Sequence, residues 1–414
     1  MLDPAKVGPL ANSNFRRFYA GYATSLLGTG LSNVAVAFAV LDSGHDSSAL
    51  GLVLTASVGM TIAFLLVGGV IGDRFSRRAV MLGSDVLRFA AQGAFAGLVL
   101  AGHPSTWSLA LCAALVGAGT GLFSPTLTAL TTEIIDAERL HDANVLIGLA
   151  KSAGVIAGPA LAGALVVLTS AGVVVAIDAA TYAVSVISLA LLELPPVVNV
   201  KPQSLLAGLA DGWGAWSSRS WIWITDIKFA FSNAIVLAPL LVLGPTIAKH
   251  HLGGAAAWGT ILTAQGAGAV AAGLLLAGRR PRRPLVVITV AQAGWSLPVL
   301  ALALLLPVPV IAAGGFLAGV GSATFLAIWT TTLQRNVPGP LLARVSSYDD
   351  LASFALGPIG LAFAGPVAAS IGTTTLLAIG GGWQLLSTVL VLALPQTRTF
   401  GESSTERLVH SGAA

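Results

Sequence analysis

Charge is what this chain has least of. Of its 414 residues only 9% are Asp, Glu, Lys or Arg, whereas 55% are hydrophobic. Soluble domains carry about 25% charged residues, so the composition excludes an ordinary water-soluble globule. Cysteine is nearly absent too. Cys112 stands alone, which excludes a disulfide framework and a cysteine-based metal centre. There is no glycine-rich phosphate loop ending in Gly-Lys-Ser/Thr, which argues against ATP as the energy source. Of the six histidines, His45, His103, His250 and His251 fall at outer loop positions, His141 in an inner loop and His410 in the tail. His250-His251 reads as a solvated pair rather than a metal site. No pattern of a soluble enzyme site occurs, and no cofactor, metal or nucleic acid is expected. The net charge of +4 comes from Lys and Arg placed in short segments beside apolar runs, where they orient a membrane protein.

Long apolar runs make up most of what remains. A helix needs about 20 apolar residues to cross a bilayer. The runs at 18–41, 50–72, 79–101, 107–130, 143–168 and 172–194 all reach that length. Pro195, Pro196 and Pro202 then break the pattern. Over 204–219, Leu206, Leu209, Trp213 and Trp216 recur at helical spacing, which predicts a helix lying at the membrane surface. Six further runs follow at 221–248, 256–277, 284–306, 308–333, 346–370 and 373–394. The expected domains are a six-helix bundle over 1–194, a cytoplasmic linker over 195–220, a second six-helix bundle over 221–396 and a cytoplasmic tail over 397–414. With both termini cytoplasmic, only Lys249 of the 21 Lys and Arg lies in an outer loop, and Lys151 and Lys228 lie within helices. The two halves also repeat. Gly117, Gly119 and Phe123 in the fourth run match Gly319, Gly321 and Phe325 in the tenth, and Gly158-Pro159 in the fifth matches Gly357-Pro358 in the eleventh. Repeated six-helix halves are how alternating-access transporters are built, with the substrate site near the membrane midplane.

Between the second and third runs lies a basic hairpin, Gly69-x3-Asp73-Arg74-x2-Arg77-Arg78, with Asp85 and Arg88 beyond it. The arginines hold it at the cytoplasmic face. Asp85 and Arg88, three apart, share a helix face and can join the cluster. The hairpin resembles the loop signature between helices 2 and 3 of the major facilitator superfamily. Asn14-Phe15-Arg16-Arg17, Ser84-Asp85-Val86-Leu87-Arg88, Ala143-Asn144 and Arg344-Val345-Ser346-Ser347 are similar to its macrolide-efflux and enterobactin-exporter branch. Gly154-x3-Gly158-Pro159-x2-Ala162-Gly163 resembles the helix 5 signature of drug–proton antiporters, with Ala162 where glycine is usual. The resemblance implies an all-α membrane protein of twelve transmembrane helices in two pseudo-symmetric six-helix bundles, a monomer in the inner cell membrane. It implies export of small amphipathic organic compounds, antibiotics or secondary metabolites, by alternating access in exchange for protons. It also implies that Asp73 latches the inner gate, with Gly69, Arg74, Arg77, Arg78, Asp85 and Arg88 as the rest of that motif. Helix 4 has no charge between Trp107 and Thr132, and the middle of helix 1 has no acid. The arginine and aspartate that many proton-driven exporters use are therefore missing.

Polar and aromatic residues inside the helices are the candidates for a cavity. Asp226, Phe229 and Asn233 share one face of the seventh helix, Phe325, Trp329 and Thr332 one face of the tenth, and Ser25, Thr29, Ser32 and Asn33 mark one side of the first. Asn33, Phe229, Asn233, Phe325 and Trp329 are the expected cavity residues, suited to an amphipathic cargo. Lys151, Asp226, Asp349 and Asp350 are the candidates for ion coupling, since ionisable side chains are costly in lipid and usually face the protein interior. Lys151 and Asp350 each precede a Gly-Pro by seven residues, which suggests a charge pair made in one state of the gate only. Lys228 sits near a helix end, where snorkelling is an equally good account. Gly154, Gly158, Pro159, Gly163, Gly357 and Pro358 are expected at close helix contacts. Two other readings stand beside the exporter: a nutrient symporter or uniporter, and a membrane sensor that no longer transports.

Overall fold

A computed structural model describes residues 8–74, 76–102, 104–136, 139–193, 213–276 and 281–400, leaving undescribed the side chains of 66–74, 128–129, 132, 141, 276, 339–340 and 343–344. The described residues form twelve long helices and no strand. In chain order these are α1 (Ser13–Asp42), α2 (Ser47–Arg74), α3 (Arg77–Leu100), α4 (Thr106–Ile134), α5 (Leu140–Leu168), α6 (Ala171–Ala190), α7 (Ser220–Leu252), α8 (Ala255–Leu276), α9 (Pro284–Ala303), α10 (Val308–Asn336), α11 (Gly339–Phe354 continued by Gly357–Ile371) and α12 (Thr373–Ala393). Eleven of them contain a stretch long and apolar enough to cross a membrane. The twelfth, α3, has 24 residues, about 36 Å at 1.5 Å per residue; Arg77, Arg78, Asp85 and Arg88 dilute its apolar character.

Polar residues in the short loops start the helices. Asn12 accepts from the Asn14 and Phe15 amides, Ser76 from Ala79, Ser105 from Ser108 and Ser170 from Val173. Each cap supplies an acceptor that the first helical turn lacks. At the far end of α7, Gly253 and Gly254 take φ of 95° and 83°, a left-handed conformation that glycine adopts at little cost.

Prolines explain the interruptions within helices. Pro358 has no N–H to serve the Phe354 carbonyl, and α11 breaks at Ala355–Leu356. Pro298 likewise cannot serve Gly294, and α9 breaks at Gly294–Trp295. α7 contains two π-turns, Asn233–Leu237 just before Pro239 and Ala248–Leu252 soon after Pro245.

By packing, the chain divides into two units. Met1–Pro202 with Pro245–Thr263 form the first, and Gln203–Gly244 with Ala264–Ala414 the second. In the first, α1 packs on α5 and α6, α2 on α4, and α3 on α4 and α6. In the second, α9 packs on α10 and α12, and α7 on α11. The repeat seen in the sequence has the same geometry in both. A methyl group at Gly117 of α4 would lie 2.0 Å from the Ser57 carbonyl oxygen of α2, and one at Gly319 of α10 would lie 1.8 Å from the Gln265 carbonyl oxygen of α8. Two residues on, Gly119 faces the Arg88 side chain and the Ser84 carbonyl oxygen of α3, and Gly321 faces the Ala291 carbonyl oxygen of α9. Glycine is required at all four positions because the neighbouring backbone occupies the space of a side chain.

Candidate functional site

The second unit encloses a cavity of about 460 Å³ lined by α7, α9, α10, α11 and α12. One wall is a stack of rings. Phe229 of α7 lies parallel to Phe325 of α10 at 5.0 Å and 5°, and Phe325 lies parallel to Trp329 at 6.0 Å and 13°. The four-residue spacing of Phe325 and Trp329 puts both rings on one face of α10. Asn233 opens the first π-turn of α7, and its Nδ2 donates to the Ser353 carbonyl of α11 at 2.9 Å. The structure therefore brings Phe229, Asn233, Phe325 and Trp329 to one cavity, where Asp349 and Asp350 join them.

Asp349 is buried. The Trp329 indole N–H donates to both of its oxygens, at 3.0 and 3.1 Å. Asp226 of α7 is buried beside it, and the two carboxyl groups lie against one another. The Trp216 indole donates to Asp226 Oδ2 at 2.7 Å, while Oδ1 has no donor among the described residues. Asp350 is exposed. Two adjacent acids thus differ in surroundings because a step of one residue turns a helix by 100°.

Lys228 does not snorkel. It is 5% exposed, and its Nζ donates to Gln292 Oε1 of α9 at 2.5 Å. Gln384 of α12 donates to the Gln292 backbone carbonyl at 2.6 Å and accepts from Ser232 at 2.7 Å. That carbonyl also accepts from the Trp295 amide at 3.2 Å, so it serves two donors. Sequence reasoning missed Gln292, Gln384 and Trp216; isolated amides in apolar helices were the available signal for the first two. Trp213, 55% exposed, and Trp216 lie with Tyr348 of α11 in an aromatic cluster. Residues 213–217 are helical, Ser218 and Arg219 are not, and 204–212 of the expected surface helix lie outside the described residues.

In the first unit Asp85 and Arg88 pair with each other, two to three turns up α3 from the hairpin arginines. Ser185 of α6 donates to Asp85 at 2.6 Å. The Arg88 guanidinium lies over the rings of Phe123 and Tyr182, at 4.4 and 4.6 Å. Gln92 donates to Asp178 at 2.7 Å and to Ser32 at 2.8 Å. Each charged group of this network has at least one partner, as low-dielectric surroundings demand, although Arg88 Nε and Asp178 Oδ1 have none among the described residues. Arg77 pairs with Glu133 at the end of α4 at 2.6 Å. Arg78 donates to the Leu189 carbonyl at 2.8 Å and to that of Ala190, where a cation suits the C-terminus of α6. The side chains of Asp73 and Arg74, and all side-chain detail around Gly69, lie outside the described residues. Asn33 and Lys151 are exposed residues of the first unit.

The helix 5 glycines meet backbone. A methyl group at Gly154 would lie 2.7 Å from the Leu26 carbonyl oxygen, one at Gly158 2.4 Å from Gly30 Cα, and one at Gly163 2.9 Å from the Ala255 carbonyl oxygen. Pro159 offers its carbonyl to the face of Gly259. Gly357 has open space around it and, with Pro358, starts the second segment of α11.

Comparison with known proteins gives the family and the fold. The profile of the Major Facilitator Superfamily matches residues 18–361. The multidrug efflux pump Tap of Mycolicibacterium fortuitum is 27% identical over 95% of this chain and 97% of its own length. The enterobactin exporter EntS of Shigella flexneri is 26% identical over 94% and 93%, in line with the exporter branch that the motifs resemble. Among solved structures, a nucleoside transporter NupG mutant (D323A) aligns with TM-score 0.74 at 13% identity, over 92% of this chain and 99% of that one. A bacterial homologue of the iron transporter ferroportin, inward-facing, aligns with TM-score 0.71 at 18% identity over 92% and 98%. At such identity these two establish the shared fold alone.

Proposed function

The chain belongs to the Major Facilitator Superfamily, and on that footing we propose that it is a secondary active exporter of small amphipathic organic compounds, driven by inward movement of protons through alternating access. The observation that carries the reading is the cavity of about 460 Å³ in the second unit, walled by stacked rings and edged by Asp349, against whose carboxyl group the buried Asp226 lies. Ligand sites of this kind are mostly apolar, with a few placed polar groups. The flat faces of Phe229, Phe325 and Trp329 suit the hydrophobic body of such a cargo. The relatives named as a multidrug efflux pump and an enterobactin exporter support the outward direction.

The carboxyl pair supplies the coupling. Asp226 Oδ1 lacks a donor among the described residues, and a proton held between the two acids provides it. Once that proton leaves, two negative charges face each other in apolar surroundings, which is costly. The loss of the proton therefore biases the unit toward a conformation that separates α7 from α11, and a state-dependent contact of this sort shifts the balance between states. The Pro358 break gives α11 a place to bend. Both termini lie on the cytoplasmic side, where the charged loops hold them. The basic hairpin, with Asp73, acts as the inner latch.

The test is accumulation of a panel of amphipathic antibiotics in cells that express the protein. Expressing cells are expected to hold less of at least one compound than control cells, and a proton uncoupler is expected to abolish the difference. Equal accumulation for every compound contradicts export, and export that survives the uncoupler contradicts proton drive.

A further inference from the structure

Lys228 is a buried cation without an anion. It is 5% exposed within a membrane-spanning helix, and none of the ion pairs among the described residues includes it. Its recorded partner is the Gln292 side-chain oxygen, at 2.5 Å. An ammonium group can only donate, so the contact fixes the orientation of the Gln292 amide: oxygen toward Lys228, nitrogen away. That nitrogen, Nε2, is buried and has no acceptor among the described residues, and Gln292 lines the cavity. Gln384 beside it is satisfied at both ends, by the Gln292 carbonyl and by Ser232. One corner of the cavity, which Asp349, Asp350 and several hydroxyl and amide side chains also line, therefore has an unpartnered amide donor with a positive charge behind it, and no acceptor among the described residues meets that donor. A cation on the amide oxygen also polarises the N–H groups on the other side of the amide. An isolated ionisable group inside a membrane protein marks a functional site, and the missing element here is an anion.

We infer that Gln292, backed by Lys228, seats an anionic oxygen head group of the cargo, a carboxylate or phenolate. The inference rests on the cavity reading above and adds the chemistry of one end of the cargo. The apolar body then lies along Phe229, Phe325 and Trp329, and the oxygen accepts from Gln292 Nε2. The ammonium remains in place behind the amide as counter-charge.

The experiment is binding to purified full-length protein in detergent, read by scintillation proximity with three radiolabelled probes: 2-naphthoate, its methyl ester and 2-naphthylmethylammonium. They share one aromatic body and differ in head group. Wild type is expected to bind the carboxylate at least about tenfold more tightly than the ester, as for a buried hydrogen bond to a charged group. Lys228→Met is expected to remove that preference while leaving ester binding within about twofold. Gln292→Glu keeps the size of the side chain and gives Lys228 an anion of its own, so it too is expected to remove the preference with the lysine intact. Size-exclusion profiles check that both variants fold. The inference is overturned if wild type does not prefer the carboxylate, if it prefers the ammonium probe, or if both variants keep the preference. Ester that binds without any carboxylate preference overturns the subsite alone, whereas failure of all three probes to bind wild type overturns the cavity reading with it.

Discussion

Asp349 and Asp350 are neighbours with the same side chain, yet only Asp349 is buried, held by the Trp329 indole on both oxygens and set against Asp226. Trp329 therefore serves twice, as a ring in the cavity stack and as a donor to the acid pair. Trp329→Ala is expected to change which compounds of the panel are expelled, with at least one losing about tenfold or more while others fall less than about twofold, since a cavity aromatic contributes roughly a tenfold increment or more of binding. Quantitative immunoblotting of the variant checks the protein amount, and a uniform loss that follows it would contradict the cavity assignment. Asp226, Asp349, Phe325 and Trp329 could be picked out in the sequence because a polar or aromatic residue in an apolar helix is conspicuous. The inward turn of Lys228 could not. A lysine near a helix end has two places to put its charge, and Gln292, 64 residues further along the chain, decides between them.

Between elements, backbone proximity sets the constraints. Gly158 of α5 faces Gly30 of α1 so closely that a methyl group would lie 2.4 Å from Gly30 Cα. Gly158→Leu is expected to force the helices apart and to cost about 1–3 kcal/mol. That loss would appear as a lower thermal midpoint of the detergent-solubilised protein, and a midpoint at or above wild type would contradict the packing. Gly93→Ala in α3, with open space around the added carbon, is the control. It is expected to leave the midpoint level or raise it, because alanine favours the helix by about 1 kcal/mol. The glycine and Gly-Pro positions were readable as punctuation in the sequence. The π-turns of α7 and the break in α9 were not, because a proline predicts a disturbance without saying how neighbouring carbonyls will be satisfied. In α9 the Gly294 carbonyl that Pro298 cannot serve accepts from the Leu297 amide at 3.2 Å.

On the scale of the whole molecule, apolar runs at membrane-crossing length made the twelve helices readable, α3 included despite its four charges. The packing division at Pro245, within α7, has no counterpart in hydropathy, because it depends on contacts of Pro245–Thr263 such as Lys249 with Asp42 at 2.7 Å and Thr246 with Ser47 at 3.1 Å. The central claim is that a proton gradient drives this molecule through the acid pair. Its most direct test uses purified protein in liposomes, where an imposed proton gradient is the only energy source, and the panel compound that cells expel most strongly. The account predicts gradient-dependent uptake into acid-interior liposomes by wild type and by Asp350→Asn. It predicts a fall of at least about tenfold for Asp349→Asn, equivalent to ~1.4 kcal/mol, with binding of the compound retained. Gradient-driven uptake by Asp349→Asn at the wild-type rate would contradict it.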